Sequence, residues 1–253
     1  MSKKEQKILL FDIETAPNLS YVWGQYEQNV IAHEKEWYVL CWVAKWLGDK
    51  KFITSALPDF RDYKIDREND FKVVKELWHL LDEAEIVIAH NGDRFDIKKM
   101  NARFAYYGLN PPSPYKTIDT YKVAKKYFSF NSNSLNDLGS HLQLGAKIST
   151  GGFSLWKGCM SGDIKSWRKM INYNKQDVLL LEKVYLELRK WITNHPSVSI
   201  FEEKEHNCPT CGSDRIQKRG FGVTKISKYQ RFQCQECGSW SKGKSIRTLV
   251  EIR

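Results

Sequence analysis

The sequence contains no apolar run approaching the roughly 18 residues that a membrane-spanning helix needs. Its N-terminus, Met1–Lys7, is polar and leads directly into a short strand-like segment. It therefore lacks the long apolar stretch and the small-residue cleavage site of a signal peptide. These absences predict that no segment spans a membrane and that the protein stays in the cytoplasm. Internal repeats and low-complexity tracts are also absent.

Acidic residues are in deficit, with 30 Asp and Glu against 40 Lys and Arg. The imbalance is concentrated in residues 204–253, which contain eleven basic and four acidic residues. Such a basic module on a nearly neutral body indicates a polyanionic partner, of which nucleic acid is the usual one. A basic surface that serves solubility alone remains the alternative. Nine Trp and twelve Phe supply enough bulky apolar material for a sizeable core, so wholesale disorder is not expected.

Short apolar runs alternate with helical periodicities along the first four-fifths of the chain. Strands are predicted at 7–15, 37–47, 52–56, 85–89 and 117–120, and helices at 71–84, 94–107, 121–127, 134–142 and 163–192. Asp70 is the expected N-cap of the first helix, and the last helix is expected to be interrupted near Tyr173. This order predicts an α/β fold with a mixed sheet covered on both faces. Residues 194–199 are interpreted as a linker.

Cysteine is sparse, and four of the six cysteines form two CxxC pairs that are each followed by glycine. Cys208 and Cys211 are separated from Cys234 and Cys237 by 22 residues, a spacing typical of one tetrahedral Zn²⁺ held by four thiolates. Two disulfides or a redox-active CxxC are less favoured, because neither a secretory context nor a surrounding βαβ pattern is evident. Of the remaining two, Cys41 is expected in the core, and the sequence assigns no role to Cys159.

Basic and aromatic residues interleave around the second CxxC pair. Six of the cations are predicted to contact nucleic acid, namely Arg215, Lys218, Arg219, Lys225, Lys228 and Arg231. The aromatic residues Tyr229, Phe232 and Trp240 have two interpretations. They could stack on unpaired bases, or they could form the small core of a zinc ribbon. The second interpretation is favoured, because so small a module has little else to bury.

Acidic residues from three separate segments could form a metal site. Asp12 and Glu14 are two apart near the end of a predicted strand and share a face, Asp96 lies just inside a predicted helix, and Asp177 follows Tyr173 by one helical turn. Two bare carboxylates about 4 Å apart repel by about 4 kcal/mol at an effective dielectric near 20, so convergence requires a cation. Oxygen ligands suit Mg²⁺ or Mn²⁺, and a metal pair suits phosphodiester hydrolysis. Spacing alone does not establish convergence, since each acid could instead be a cap or a surface group.

Three short motifs resemble those of a known superfamily. Phe-Asp-Ile-Glu-Thr at 11–15, His-Asn-Gly-Asp-Arg-Phe-Asp at 90–96 and Tyr-Asn-Lys-Gln-Asp at 173–177 occur in the order of the exonuclease motifs of the DEDD superfamily. Tyrosine four residues before the last aspartate resembles the DEDDy branch, which includes the proofreading domains of family-B DNA polymerases. The resemblance covers residues 8–192 and implies an RNase H-like, five-stranded mixed sheet. The expected domains are therefore an exonuclease domain at 1–195 and a basic zinc ribbon at 204–253.

The resemblance also implies roles for individual residues. Asp12, Glu14 and Asp177 would bind one Mg²⁺ or Mn²⁺, Asp12 and Asp96 would hold a second, with water between Asp96 and the ion, and Tyr173 would orient the attacking water. Neighbouring motif residues are expected to contact nucleic acid, namely Thr15, Asn91 and Phe95. Asp93 matches no family role and is interpreted as a surface or cap residue.

The function implied by the resemblance is a stand-alone 3′→5′ exonuclease that acts on single-stranded or frayed DNA with a free 3′ end. Polymerase segments are absent from the sequence, and phage or bacterial nucleic-acid metabolism is the expected setting. An RNA 3′-exonuclease is the alternative within enzymes, because the same carboxylates serve both substrates. A non-catalytic binding protein, whose zinc ribbon recruits nucleic acid or a protein partner, is the alternative from another class.

Overall fold

The computed structural model of the protein describes residues 6–26, 29–146, 150–202 and 207–247. The chain divides into two compact units. The sheet unit comprises Lys7–Lys122 and Phe130–Val184, and the ribbon unit comprises Met1–Gln6, Val123–Ser129 and Tyr185–Arg253. Parts of the predicted domains, at 1–5, 27–28, 147–149, 204–206 and 248–253, lie outside the described residues. The predicted domain limits stay a prediction.

The sheet unit contains seven strands in its described part: β1 Ile8–Thr15, β2 Leu19–Tyr21, β3 Ala32–Lys35, β4 Val39–Trp46, β5 Ile53–Ala56, β6 Ile86–Ala89 and β7 Lys116–Asp119. Five of them form one sheet in the order β5-β4-β1-β6-β7. β1 pairs antiparallel with β4 and parallel with β6, and β6 pairs parallel with β7. The predicted five-stranded mixed sheet is therefore confirmed. β2 and β3 form a separate hairpin that the sequence did not predict.

β1 occupies the centre of the sheet because its first half is apolar on both faces. Ile8 through Phe11 are buried, as are all but the last residue of β4. Polar side chains enter β1 only towards its C-terminal end, where Asp12 and Glu14 are half-buried. The register with β4 shifts between Glu14 and Thr15, passing over Leu40. Such irregularities bend a strand locally and re-aim its side chains, and this one lies where the acidic residues are.

Six helices are described: α1 Phe71–Glu83, α2 Asp96–Tyr106, α3 Thr120–Tyr127, α4 Leu135–His141, α5 Ser154–Ser161 and α6 Ile164–Leu188. Five of these six helices were predicted from periodicity, and α5 was not. The expected interruption near Tyr173 is wrong, because α6 continues through that turn. Asn174 is fully buried there, and its amide nitrogen donates to the carbonyl of Asp12 at 3.3 Å. This tertiary contact outweighs the modest helix propensity of asparagine.

The predicted capping role of Asp70 is also wrong. Asp70 stands at the N-cap position of α1, but its side chain makes no capping hydrogen bond. Instead the buried carboxylate accepts from the Val39 amide at 2.7 Å and from the Tyr107 hydroxyl at 2.5 Å, and it pairs with Arg103. Asp70 thereby joins the start of α1 to β4 and α2. Burial, followed by the hydrogen bond to Asp70, raises the pKa of Tyr107.

In the described residues of the ribbon unit, three antiparallel strands pair in the order β10-β9-β8: β8 Ile216–Val223, β9 Ser227–Cys234 and β10 Trp240–Arg247. The segment 194–199, predicted as a linker, is hydrogen-bonded within this unit. The Val198 amide donates to the Pro209 carbonyl at 2.8 Å, and the Tyr185 hydroxyl lies 2.9 Å from Nε2 of His195.

None of the helices in the described ranges combines the length and apolarity that a membrane crossing requires.

The buried Asp70 network makes a stability prediction. Asp70→Ala should lower the free energy of unfolding by about 3–5 kcal/mol, because the Arg103 guanidinium would keep its burial and lose its partner. Asp62→Ala is the matched control, since Asp62 pairs with Lys72 at the surface, where such pairs contribute at most about 1 kcal/mol. Urea unfolding of both variants provides the measurement. Equal, small losses would contradict the structural role of Asp70.

Candidate active site and zinc site

Three acidic side chains meet at the C-terminal end of β1. Carboxylate oxygens of Asp12, Glu14 and Asp177 lie within 4.8 Å of one another. Asp12 and Glu14 come from β1, and Asp177 from the middle of α6. Asp177 is buried, whereas the other two are half-buried. Residues that are far apart in the sequence are thus brought together, as the motif order implied.

The backbone of β1 is tied to α6 at this point. The Asn174 amide donates to the Asp12 carbonyl, one turn before Asp177 on the same helix. The contact fixes the strand that carries two of the acids against the helix that carries the third. Asn174 belongs to the third sequence motif, but no structural role was predicted for it from the sequence. Its burial within a polar stretch of the helix is the feature that identifies it.

Asp96 is the first residue of α2 and lies beside the same strand. Its Oδ1 accepts from the Ile13 amide at 3.2 Å, and Ile13 lies between Asp12 and Glu14 in β1. Asp96 is buried, yet among the described residues the cluster within 4.8 Å does not include it. The fourth acid is therefore adjacent to the cluster and oriented by the backbone of β1.

The loop that precedes Asp96 is held by Asp119, a residue that the sequence reasoning missed. The Asp119 carboxylate at the end of β7 accepts from the backbone amides of Asn91 at 2.9 Å and Asp93 at 3.3 Å. It also accepts from the amide of Tyr121 at 3.0 Å, at the start of α3. Burial raises the pKa of Asp119, and the amide hydrogen bonds oppose that shift. The feature of the sequence that could have identified Asp119 is a carboxylate at the end of a predicted strand, β7, which neighbours β6.

The same loop has a tight backbone. Asn91 has a left-handed conformation with φ of 60°, which asparagine tolerates better than most residues. A Cβ at Gly92 would collide with the Ala89 side chain, so only glycine fits there. Asp93 forms a surface ion pair with Lys122 at 2.7 Å, in line with its interpretation as a surface residue.

Two aromatic residues of the motifs, Tyr173 and Phe95, form ring contacts with neighbouring side chains. Tyr173 is half-buried, and its ring meets the Trp156 ring edge-on with centroids 6.4 Å apart. Trp156 lies in α5, a segment for which no element was predicted. Phe95 is 40% exposed at the start of α2, and the Lys99 ammonium lies 5.7 Å from its ring centroid. Burial lowers the pKa of Lys99. Thr15 is half-buried at the end of β1.

A second constellation consists of four sulfur atoms. The Sγ atoms of Cys208, Cys211, Cys234 and Cys237 all lie within 4.8 Å of one another. The Cys208–Cys237 distance is 3.6 Å, and the Cys211–Cys234 distance is 3.7 Å. The hydrogen bond between Cys211 and Cys208 lowers the pKa of Cys208 and raises that of Cys211, because one thiol donates to the other as thiolate.

The sulfur distances fit a zinc ion. Four thiolates at about 2.3 Å from a tetrahedral Zn²⁺ are separated from one another by about 3.8 Å. The observed separations are close to this value, so the four cysteines can hold one Zn²⁺. Cys41 and Cys159 lie elsewhere and are buried. Burial raises the pKa of Cys159 to about 12, so its thiol is protonated and unreactive at neutral pH.

The carboxylates fit a hard divalent cation. At 4.8 Å and an effective dielectric near 20, each pair of charges repels by about 3.5 kcal/mol. Octahedral Mg²⁺ at about 2.1 Å from its ligands accommodates oxygens about 3–4 Å apart, within the span of this cluster. Asp12, Glu14 and Asp177 can therefore hold such an ion.

The cations of the ribbon occupy different settings. Arg215 forms an ion pair with Glu236 at 2.8 Å, and Arg219 donates to Gln233 at 3.2 Å. The remaining predicted contacts are exposed, namely Lys218, Lys225, Lys228 and Arg231. The interpretation of Trp240 as a core residue is wrong, because its side chain is 54% exposed. Tyr229 and Phe232 are half-buried.

The sequence profile of the RNase_H superfamily matches residues 9–189. The chain belongs to the RNase H superfamily. The matched residues include all four acids described above, and the family and fold implied by the three motifs are confirmed. This RNase H superfamily chain has no match among proteins with curated descriptions.

The fold is similar to that of a family B DNA polymerase from the hyperthermophilic archaeon Pyrobaculum calidifontis. The TM-score is 0.53 and the sequence identity 12%, with 73% of this chain and 25% of the polymerase covered. This RNase H superfamily member thus spans about a quarter of the polymerase. At that identity the likeness concerns the fold alone.

Zinc content tests the four-sulfur site. Cys211→Ser should reduce bound zinc from one ion per chain to well below one, because the hard hydroxyl is a poor ligand. Cys159→Ala should retain one zinc per chain, since Cys159 lies outside the site. Elemental analysis of the purified proteins gives the answer. Undiminished zinc in the Cys211 variant would contradict the assignment.

Thermal unfolding tests the acidic cluster. Glu14→Gln should stabilise the chain by about 1–2 kcal/mol in buffer free of divalent cations, because it relieves like-charge repulsion. It should also remove most of the stabilisation by Mg²⁺, which for the unaltered chain should reach about 2.7 kcal/mol at 100 times the dissociation constant. Asp49→Asn, at an exposed acid, should change neither quantity. Equal Mg²⁺ stabilisation in both variants would exclude Glu14 as a ligand.

Proposed function

We propose that the protein is a metal-dependent 3′→5′ exonuclease that hydrolyses single-stranded or frayed DNA from a free 3′ end in the cytoplasm. The observation that carries the proposal is the convergence of Asp12, Glu14 and Asp177 within 4.8 Å on an RNase H-like sheet. The resemblance of the three motifs to those of DNA polymerase proofreading domains is the reason for proposing DNA rather than RNA as the substrate. The domain limits 1–195 and 204–253 belong to the same proposal.

The acids would hold two Mg²⁺ or Mn²⁺ ions. Asp12, Glu14 and Asp177 would bind one, and Asp12 together with Asp96 would hold the second, with a water between Asp96 and the ion. The position of Asp96 beside Ile13, outside the tight cluster, supports its more distant role. Bound there, the ions would neutralise charge on the attacking and leaving oxygens of the phosphodiester.

Tyr173 is proposed to orient the attacking water through its hydroxyl. It lies one turn before Asp177 on α6, and therefore on the same helix face. The edge-on contact with Trp156 limits how far the Tyr173 side chain can swing about its Cα–Cβ bond, and this helps to hold the hydroxyl in position. Because a phenol is a weak base at neutral pH, its contribution is positioning rather than proton abstraction.

The substrate strand would be contacted by motif residues and by the ribbon. Phe95 offers an exposed ring on which a base can stack, and Asn91 and Thr15 are near the acids in sequence and can donate hydrogen bonds. In the ribbon, phosphate contacts are assigned to Arg215, Lys218, Arg219, Lys225, Lys228 and Arg231. One structural Zn²⁺ would hold this ribbon together.

Polarity of degradation tests the function. With Mg²⁺, a 5′-labelled DNA strand should shorten progressively from its 3′ end, with mononucleotides as products. A circular strand and a strand ending in a 3′-phosphate should resist. Comparing the rate on this DNA strand with the rate on an RNA strand of the same sequence shows which of the two substrates is preferred. Efficient cutting of the circle would show an endonuclease instead, and inertness towards every strand would contradict a nuclease.

Substitutions within the motifs test the roles. Asp12→Ala should abolish hydrolysis, because it removes the ligand shared by both proposed ions, while strand binding persists. Tyr173→Phe should lower kcat by about 10- to 100-fold, since only a positioning hydroxyl is lost. Asp93→Ala is the control, because Asp93 is in the same motif as Asp96 but pairs with Lys122 at the surface. In steady-state kinetics, the activity of Asp93→Ala should stay within twofold of that of the unaltered chain. Near-normal activity of Asp12→Ala would refute the proposed site.

A further inference from the structure

The ribbon unit contains an open pocket of about 590 Å³ that none of the roles above requires. It is lined by Ile192, Thr193, His195, Pro209 and Thr210, and by four residues of one sheet face together with Ser241, namely Tyr229, Arg231, Trp240 and Lys242. Its volume falls within the range of about 300–1,000 Å³ that is usual for small-ligand sites. None of the described residues that line it is acidic.

Strand register explains why aromatic and basic side chains share this face. Lys242 lies opposite Arg231, and Trp240 opposite Gln233, in the antiparallel pairing of β10 with β9. Directly opposed residues project to one face, and Tyr229 joins them because it is two positions from Arg231. The Tyr229 ring covers Gly222 of β8, where a Cβ would collide with it. The aromatic surface is therefore fixed by the sheet itself.

Each cation is paired with an aromatic ring. The Arg231 guanidinium carbon lies 5.8 Å from the Trp240 ring centroid, and the Lys242 ammonium 5.6 Å from that of Tyr229. Within the described part of the chain neither cation forms an ion pair with a carboxylate. Their charge is therefore available to an anionic ligand.

The lining residues that precede the ribbon strands, Ile192, Thr193 and His195, are uncharged. Burial lowers the pKa of His195, so its imidazole carries no charge at neutral pH. Its two ring nitrogens lie at hydrogen-bonding distance from the Tyr185 hydroxyl, at 2.9 Å, and from the Pro196 carbonyl, at 2.7 Å. Uncharged residues thus complete a lining that is otherwise cationic and aromatic, and a planar, partly apolar ligand with a negative group matches this chemistry.

We propose that this pocket binds one unpaired nucleotide of the substrate strand, with its base stacked on Trp240 and its phosphate contacted by Arg231 and Lys242. A ring that is 54% exposed in so small a unit has a free face for stacking. Paired bases have their faces covered, so the site selects single strands. The inference rests on the proposed function only in taking the bound strand to be the substrate.

The test compares two exposed aromatic residues on opposite faces of the ribbon. Phe221 is 49% exposed, has the Lys228 ammonium 4.1 Å from its ring centroid, and pairs with Gln230 on the face opposite Tyr229. Trp240→Ala and Phe221→Ala are made in the full chain carrying Asp12→Ala, so that no strand is degraded. Fluorescence anisotropy measures the affinity for a thymidine 20-mer and for the same backbone without bases.

Trp240→Ala should weaken binding of the 20-mer by at least about fivefold, as expected for loss of one stacked base, and leave binding of the abasic strand unchanged. Phe221→Ala should change neither affinity by more than twofold. Trp240→Phe should recover most of the loss. The joint change of Arg231 and Lys242 to Gln should flatten the slope of log K against log salt by about 1.4. One zinc per chain in every variant verifies that the ribbon is folded.

Equal losses in the Trp240 and Phe221 variants, or a Trp240 effect of the same size on the abasic strand, would overturn the proposal. Unchanged binding in Trp240→Ala would also overturn it and direct attention to a protein partner for this face. The outcome is separate from that of the proposed function. If the chain with Asp12 restored degrades no strand while the binding pattern holds, the nucleotide pocket stands and the exonuclease proposal fails.

Discussion

Repulsion between Asp12, Glu14 and Asp177 is the constraint on which the sheet unit depends. Carboxylates held within 4.8 Å push each other apart, so the elements that carry them must be rigid. β1 meets this need because it is the middle strand of the sheet, buried on both faces in its first half. α6 meets it as a continuous helix of 25 residues, fixed to β1 through Asn174. A cation bound among these carboxylates would convert the repulsion into attraction.

Three buried acids outside the cluster, Asp96, Asp119 and Asp70, have a different role from the acids within it. Asp119 accepts backbone amides of the loop before α2, and Asp96 accepts the Ile13 amide. Asp70 combines an amide with the Arg103 guanidinium. In each case the buried charge is compensated by donors from another element, so it fixes the position of that element. Within residues 207–246 the buried side chains are those of Cys208, Thr210, Cys234 and Ser239, so this part of the chain relies on four sulfurs spaced for zinc rather than on an apolar core.

Much of the fold and the site could be predicted from local patterns in the sequence. Buried strands are apolar at every position, and amphipathic helices repeat every 3.6 residues, so the five sheet strands and five of the six helices were identified. CxxC spacing fixes which sulfurs can reach one ion, and the four cysteines meet as expected. The three exonuclease-like motifs indicated the family and the acids. α5 and the β2–β3 hairpin were missed, because short elements with exposed aromatic residues leave no clear period.

The sequence by itself determined most element types and the four cysteines that can share one zinc ion, because periodicity and CxxC spacing are local patterns. The family and the four acids were implied by the resemblance of three motifs to those of known exonucleases. Tertiary structure alone decided that Asp12 and α6, 162 positions apart at Asn174, would touch. It also decided that Asp70 ties three elements together rather than capping one, and that Trp240 faces solvent rather than a core. These outcomes depend on which faces the other elements cover. Burial of a given side chain is a property of the packed assembly, whereas periodicity records only the local preference of the chain.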